Sequence, residues 1–210
     1  LAQLYLAEEQ YRKAVQSLEM WFARAENPGA PAFFFAAQAY AVTDKLRTAE
    51  GYVERGLAKV AETGETPQEN HLRIASSIYL RQEKYGKAKP ILEQLIGSYP
   101  SKKEYFMQLS VVYQQLREEK GSFAMLALAY DNRFKMTSGE LLRLAQLYRL
   151  YDYPYKAAKI IDKGMSAGIM KRTKQHCEEL GNAYYQAREM KKAISPLTCA
   201  AKASKDGQLY

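Results

Sequence analysis

Leu72-Arg73-Ile74-Ala75-Ser76-Ser77-Ile78-Tyr79, followed after a short polar turn by Tyr85-Gly86-Lys87-Ala88-Lys89-Pro90-Ile91-Leu92, decides the fold of this 210-residue chain. Apolar or small residues recur at helical spacing in both halves: Leu72, Ala75, Ser76 and Tyr79, then Ala88, Ile91, Leu92, Leu95 and Ile96. That pattern predicts two amphipathic helices joined by a turn. The same arrangement occurs six times. A small residue precedes a tyrosine by three places at Ala2/Tyr5, Ala37/Tyr40, Ser76/Tyr79, Ser110/Tyr113, Ala145/Tyr148 and Gly181/Tyr184. A second small residue follows at Ala14, Ala49, Ala88, Ser122, Ala157 and Ala193, and an aliphatic one at Leu18, Val53, Leu92, Leu126, Ile161 and Leu197. Successive starts are 35, 39, 34, 35 and 36 residues apart. Small residues let paired helices approach closely, and the tyrosine and aliphatic side chains fill the space beside them. One pair cannot bury both of its faces, so the next must stack on it. Ala88 is accordingly expected to be buried against Ser76.

The order small, aromatic, small, large, proline, with a period near 34 residues, resembles the tetratricopeptide repeat superfamily. The third unit carries it best, through Ser76, Tyr79, Tyr85, Ala88, Leu92 and Pro100. Glu119, Pro154 and Met190 replace the turn aromatic in the last three units. The signature tryptophan is missing, and Phe106 is the one aromatic at its position. The expected fold is all-α: a solenoid of about six antiparallel helix pairs, about a dozen helices, forming a right-handed superhelix. The units span about 1–28, 30–64, 69–100, 103–133, 138–168 and 174–205, as one continuous array without an internal boundary. Leu1 reads as the middle of a first helix, and Asp206-Gly207-Gln208-Leu209-Tyr210 as the start of a seventh unit, so the chain reads as a piece of a longer array. Ala61–Thr66, in the longest interval, is expected as an extended loop. Pro90 and Pro196 fall near the first turns of second helices, where a mild kink is expected.

The net charge of +8 belongs to the second half: residues 1–100 hold 12 basic and 12 acidic side chains, and residues 101–210 hold 19 and 11. Lys156, Lys159 and Lys163 form one helical stripe, extended by Arg172, Lys174, Arg188, Lys191 and Lys192. Such a stripe is either a solvated outer face or a surface for an anionic partner. A single tryptophan and the absence of a glycine-flanked aromatic motif argue against nucleic acid. No run is apolar for long enough to span a membrane. Cys177 and Cys199, one on each helix of the sixth unit, are either two small buried hydrophobes or a disulfide, which needs their Cα atoms within about 7 Å and an oxidising compartment. His71 and His176 occupy equivalent positions in different units and form no metal constellation, so no metal or other cofactor is expected. There is no phosphate loop, nucleophile elbow or zinc spacing. Glu118/Glu119 and Glu178/Glu179 are adjacent pairs, which diverge on a helix. A non-catalytic protein is expected.

The resemblance implies a concave groove lined by first helices. Carried over by helical phase, its exposed positions are Phe34 and Gln38; Asn70, Arg73, Ser77 and Arg81; Met107, Gln108, Val111 and Gln114; Leu142, Arg143, Gln146 and Arg149; and Glu178, Asn182 and Tyr185. Arg73, Ser77 and Arg143 replace the lysine/asparagine carboxylate clamp of chaperone-binding members, which puts binding of chaperone C-termini in doubt. Side-chain amides pair with extended backbone, and arginine takes carboxylates bidentately. The expected partner is therefore an extended protein segment, acidic or amide-rich, centred on Arg73, Arg81, Arg143 and Arg149. Leu144–Tyr148, Tyr153–Ala158, Lys163-Gly164-Met165, Ala187-Arg188-Glu189 with Lys192-Ala193-Ile194, and Ser204–Gly207 also resemble bacterial periplasmic repeat proteins that accompany TonB-type energy-transduction systems. That implies an interaction scaffold in the periplasm. The alternative is a cytosolic adaptor or regulatory module attached to an effector domain.

Overall fold

The computed structural model describes residues 1–204, so the expected start of a seventh unit at Asp206–Tyr210 lies outside the described residues. Among the described residues there are twelve α-helices and no strand: α1 (Ala2–Ala7), α2 (Tyr11–Phe22), α3 (Ala30–Val42), α4 (Leu46–Thr63), α5 (Glu69–Arg81), α6 (Tyr85–Ser98), α7 (Lys103–Gln115), α8 (Glu119–Asp131), α9 (Ser138–Leu150), α10 (Pro154–Ser166), α11 (Lys174–Gln186) and α12 (Met190–Lys202). This is the all-α arrangement of helix pairs that the period predicts. The chain divides into two compact units, Leu1–Glu118 with α1–α7 and Glu119–Tyr210 with α8–α12. In the first, consecutive helices pack on one another and α3 also touches α5. In the second, consecutive helices pack likewise and α9 touches α11.

One backbone device ends all six first helices. The residue four places after each motif tyrosine, at Glu9, Asp44, Glu83, Arg117, Asp152 and Arg188, is left-handed, with φ between 56° and 63°. The next N–H turns back to the tyrosine carbonyl: Gln10 to Tyr5 (2.7 Å), Lys45 to Tyr40 (3.0 Å), Lys84 to Tyr79 (2.9 Å), Glu118 to Tyr113 (2.8 Å), Tyr153 to Tyr148 (2.7 Å) and Glu189 to Tyr184 (2.9 Å). This satisfies carbonyls that a helix end leaves without partners. Glycine would adopt this conformation without steric cost, yet none of the six is glycine. That is why the turns carry no glycine signal in the sequence.

The repeat residues form the core. Ala14, Ala49, Ala88, Ser122, Ala157 and Ala193 are all buried, as are Val53, Leu92, Leu126 and Ile161. The motif tyrosines also reach back to a carboxylate on the preceding second helix: the hydroxyls of Tyr40, Tyr113 and Tyr184 donate to Glu19 (2.6 Å), Glu93 (2.8 Å) and Asp162 (3.3 Å). Burial first, and then these carboxylates, push the phenols of Tyr113 and Tyr184 up to about 12.

The 39-residue interval is absorbed differently from the expectation. Residues 61–63 are not loop but the last turn of α4, which runs for 18 residues until Gly64 turns left-handed at φ 69°. Nothing in Ala61-Glu62-Thr63 opposes helix, so the helix continues to the first residue that favours stopping. Pro90 and Pro196 sit in the second turns of α6 and α12, and both helices continue through them. In the second unit Cys177 and Cys199 form a disulfide between α11 and α12, with Cα atoms 5.9 Å apart.

Candidate functional site

In the first unit, α3, α5 and α7 leave between them a cleft of about 420 Å³. Its walls include Gln38 of α3, Asn70, Arg73, Ser77 and Arg81 of α5, and Gln108 of α7. The sequence-derived positions therefore converge here because i, i+3 and i+4 residues share a helix face. Gln38, Asn70, Ser77 and Gln108 are exposed and make no side-chain hydrogen bond to another described residue. Their donors and acceptors point at solvent, free for a ligand.

The charges are arranged unequally. Arg81 is spent on structure: Nη1 donates to the Ala41 carbonyl (2.7 Å) and Nη2 to Asp44 Oδ1 (2.9 Å), tying α5 to the end of α3. At the far end of α5, Glu69 accepts from Lys102 (2.9 Å) and from the Tyr105 hydroxyl. The Tyr105 bond, then that of Lys102, holds the Glu69 carboxyl below the usual carboxylate range. Burial and the same carboxylate raise Tyr105 to about 12. The Arg73 guanidinium has no ion pair or hydrogen bond among the described residues. It is the available cation of the cleft, with the exposed Glu104 the available anion. Glu104, Tyr105, Val42 and Ile74 also line the cleft and were missed. The signal for Glu104 was present, since it lies one turn before Gln108.

Several expected groove positions are placed otherwise. Phe34 is 1% exposed, not presented to a partner. Its ring stacks on His71 with centroids 4.2 Å apart, and it clusters with Ala30 and with Val60 on the added turn of α4. Gly56 makes room for it: a Cβ there would lie 2.9 Å from the ring. The longer second helix thus covers what helical phase alone left open. Met107 is half-buried and Gln114 exposed, and neither lines the cleft.

In the second unit the corresponding polar residues are used within the chain. Arg149 pairs with Glu179 and donates Nε–H to Gln186 (2.9 Å), while Gln146 donates to the other oxygen of Glu179 (2.8 Å). This network ties α9 to α11, so Arg149 and Gln146 are not offered to a ligand as expected. Their partners lie on the next first helix, beyond the reach of a single-helix phase argument. Arg143 and Asn182 are half-buried, and Tyr185 is exposed.

The basic stripe is partly engaged with aromatic rings. Lys156 lies over Tyr148 and Tyr153, Lys159 over Tyr155, and Lys192 over Tyr155 and Tyr184 while pairing with Glu189. Among the described residues no group of His, Cys, Asp and Glu is placed to hold a metal ion. His71 is buried in its stack, and His176 Nδ1 lies 2.7 Å from the Lys171 carbonyl. No described helix is long and apolar enough to cross a membrane.

No protein-family model matches the sequence, and no curated protein matches it. Solved structures do match the fold. The C-terminal part of a TPR repeat-containing protein from Cytophaga hutchinsonii superposes with a TM-score of 0.61 at 13% identity, covering 96% of this chain and 77% of that one. YrrB, described as a TPR protein with an unusual peptide-binding site, gives 0.61 at 16% identity over 95% and 94%. A tetratricopeptide repeat protein from Parabacteroides merdae gives 0.60 at 15% identity over 97% and 77%. The chain has the fold of these tetratricopeptide repeat proteins, an α-solenoid built of helix pairs.

Proposed function

We propose that this chain is a protein-interaction scaffold whose first-unit cleft binds an extended segment of a partner protein. The observation that carries this reading is the set of unused polar groups on three adjacent helices: Gln38, Asn70, Ser77, Arg73 and Gln108. Amides spaced along a cleft match the donors and acceptors of an extended backbone, and Arg73 donates to one carboxylate or carbonyl. With Glu104 on the same wall, the cleft favours an amide-rich segment carrying a single acidic residue over a strongly acidic one. The likeness in fold to YrrB is consistent with a peptide ligand. Affinity is modest, because ordering a flexible segment offsets much of the contact energy. Selection from a displayed peptide library, followed by fluorescence polarisation of the selected peptides, tests this. Arg73→Glu and Gln38→Ala/Gln108→Ala should each weaken the selected peptides at least tenfold, with helicity unchanged. Peptides that bind both variants as they bind the parent protein would remove the cleft as the site.

The disulfide supports action in an oxidising compartment. We place the scaffold in the bacterial periplasm on that ground, and the TonB-type association rests on the segments that resemble such proteins. Thiol titration of denatured, unreduced protein drawn from its native compartment checks the first step. Two free thiols there would withdraw the redox support and favour the cytosolic adaptor.

A further inference from the structure

A second cavity, of about 450 Å³, lies wholly within the second unit, where the α8–α9 connection meets the end of α10. Its volume falls in the range of small-molecule sites. The floor is apolar: Met136, Leu141 and Ile160 are buried beneath it, and Ile169 stays exposed at its edge. The rim carries Arg133, Lys135 and Lys163 against a single carboxylate, Asp131. Asp131 is near the Tyr148 hydroxyl, which burial first and then this carboxylate hold above its ordinary pKa. The side chains of Arg133 and Lys163 have no hydrogen bond or ion pair among the described residues.

Arg133 also differs in residue type from two comparable second-helix ends. It ends α8 in the left-handed conformation at φ 59°. The equivalent ends of α4 and α10 use Gly64 and Gly168 for the same turn. Glycine would adopt this turn without steric cost; Arg133 adopts it as Arg117 and Arg188 do at first-helix ends, and here the side chain lines the cavity.

We propose that this cavity binds a small amphiphilic carboxylate, with its hydrocarbon body on the Met136–Leu141–Ile160 floor and its carboxylate held by Arg133 and Lys163. The cavity volume and the apolar floor suit a small molecule, and the rim charge selects an anionic head. The site is independent of the peptide cleft in the first unit.

Isothermal titration with octanoate, octylamine, octan-1-ol and a leucine-terminated tetrapeptide tests it on the intact chain. Octanoate should bind saturably, and octylamine at least tenfold more weakly. Arg133→Gly should raise the melting temperature while weakening octanoate about tenfold, which separates ligand binding from folding. Ala167→Trp, at an exposed lining position, should block binding. The proposal is overturned by absence of saturable octanoate binding, by equal binding of octylamine, by Arg133→Gly retaining full affinity, or by preference for the tetrapeptide.

Discussion

Gly181→Ala places two known effects in opposition. Gly181 is the small residue of the sixth unit, inside α11 against α12. Replacing glycine by alanine in an open helix interior gains about 1 kcal/mol of helix propensity. At Gly181, however, the added Cβ would lie 2.6 Å from Leu197 Cδ2, 2.7 Å from Leu197 Cγ and 3.2 Å from the Leu197 backbone nitrogen. The leucine side chain could rotate away only by leaving its present rotamer, and the backbone nitrogen moves only if α12 moves. Overpacking of this kind costs about 1–3 kcal/mol, so the net expectation is a loss of about 1 kcal/mol. Gly51, inside α4, is the control, because a Cβ there meets nothing within 4 Å. Gly51→Ala should therefore gain up to about 1 kcal/mol, leaving the two variants about 2 kcal/mol apart. Repeat arrays need not unfold in a single step, so amide hydrogen exchange of α11 and α12 is the informative assay, with denaturant melts followed by circular dichroism as the second measure. Leu197→Ala in the Gly181→Ala background should recover part of the loss as a favourable coupling. If Gly181→Ala protects the α11 and α12 amides as well as the parent protein does, close helix approach is not the reason for the small residue.

Opening the Cys177–Cys199 bond releases a 22-residue separation, which in the chain-entropy treatment costs about 3 kcal/mol. Exchange in α11 and α12 should accelerate in reductant and in the Cys177→Ser/Cys199→Ser variant alike, while α3–α6 stay unchanged; uniform acceleration along the chain would contradict a local tether. His71 lies below the ordinary imidazole range because burial disfavours its charged form, with Glu65 pulling weakly the other way, and its Nδ1 has no hydrogen-bond partner. The unfolded chain then takes up the proton at higher pH than the folded one. The stability tied to this group is complete above about pH 6.5 and is lost as pH falls through the lower folded value. His71→Phe, which keeps the stack on Phe34, should flatten the decline between pH 7 and 5 in denaturant melts; parallel profiles would show that His71 does not sense pH.

Much of this protein is legible from spacing. The six-fold recurrence of small residue, tyrosine, small residue and aliphatic is a statement about helical phase and close approach, and both are local properties of the chain. They fixed the helix pairs and the identity of the core positions from Ala14 to Ala193. They also brought Gln38, Asn70, Arg73, Ser77 and Gln108 to one cleft, because same-face residues on packed first helices must converge. The tertiary structure decided what those side chains are free to do. Phe34 shares its helix with Gln38 and is nonetheless buried, because an added turn of α4, more than twenty residues away, brings Val60 onto it. Arg149 and Arg73 occupy comparable phases on α9 and α5, yet Glu179 pairs with the first and no described residue forms an ion pair with the second. The left-handed turns at Glu83 and Arg117 left no glycine to read, since the tyrosine carbonyl and the next helix hold that conformation from outside. Periodicity determines which face a residue occupies; whether that face is open, covered or already paired depends on side chains that only packing brings within reach.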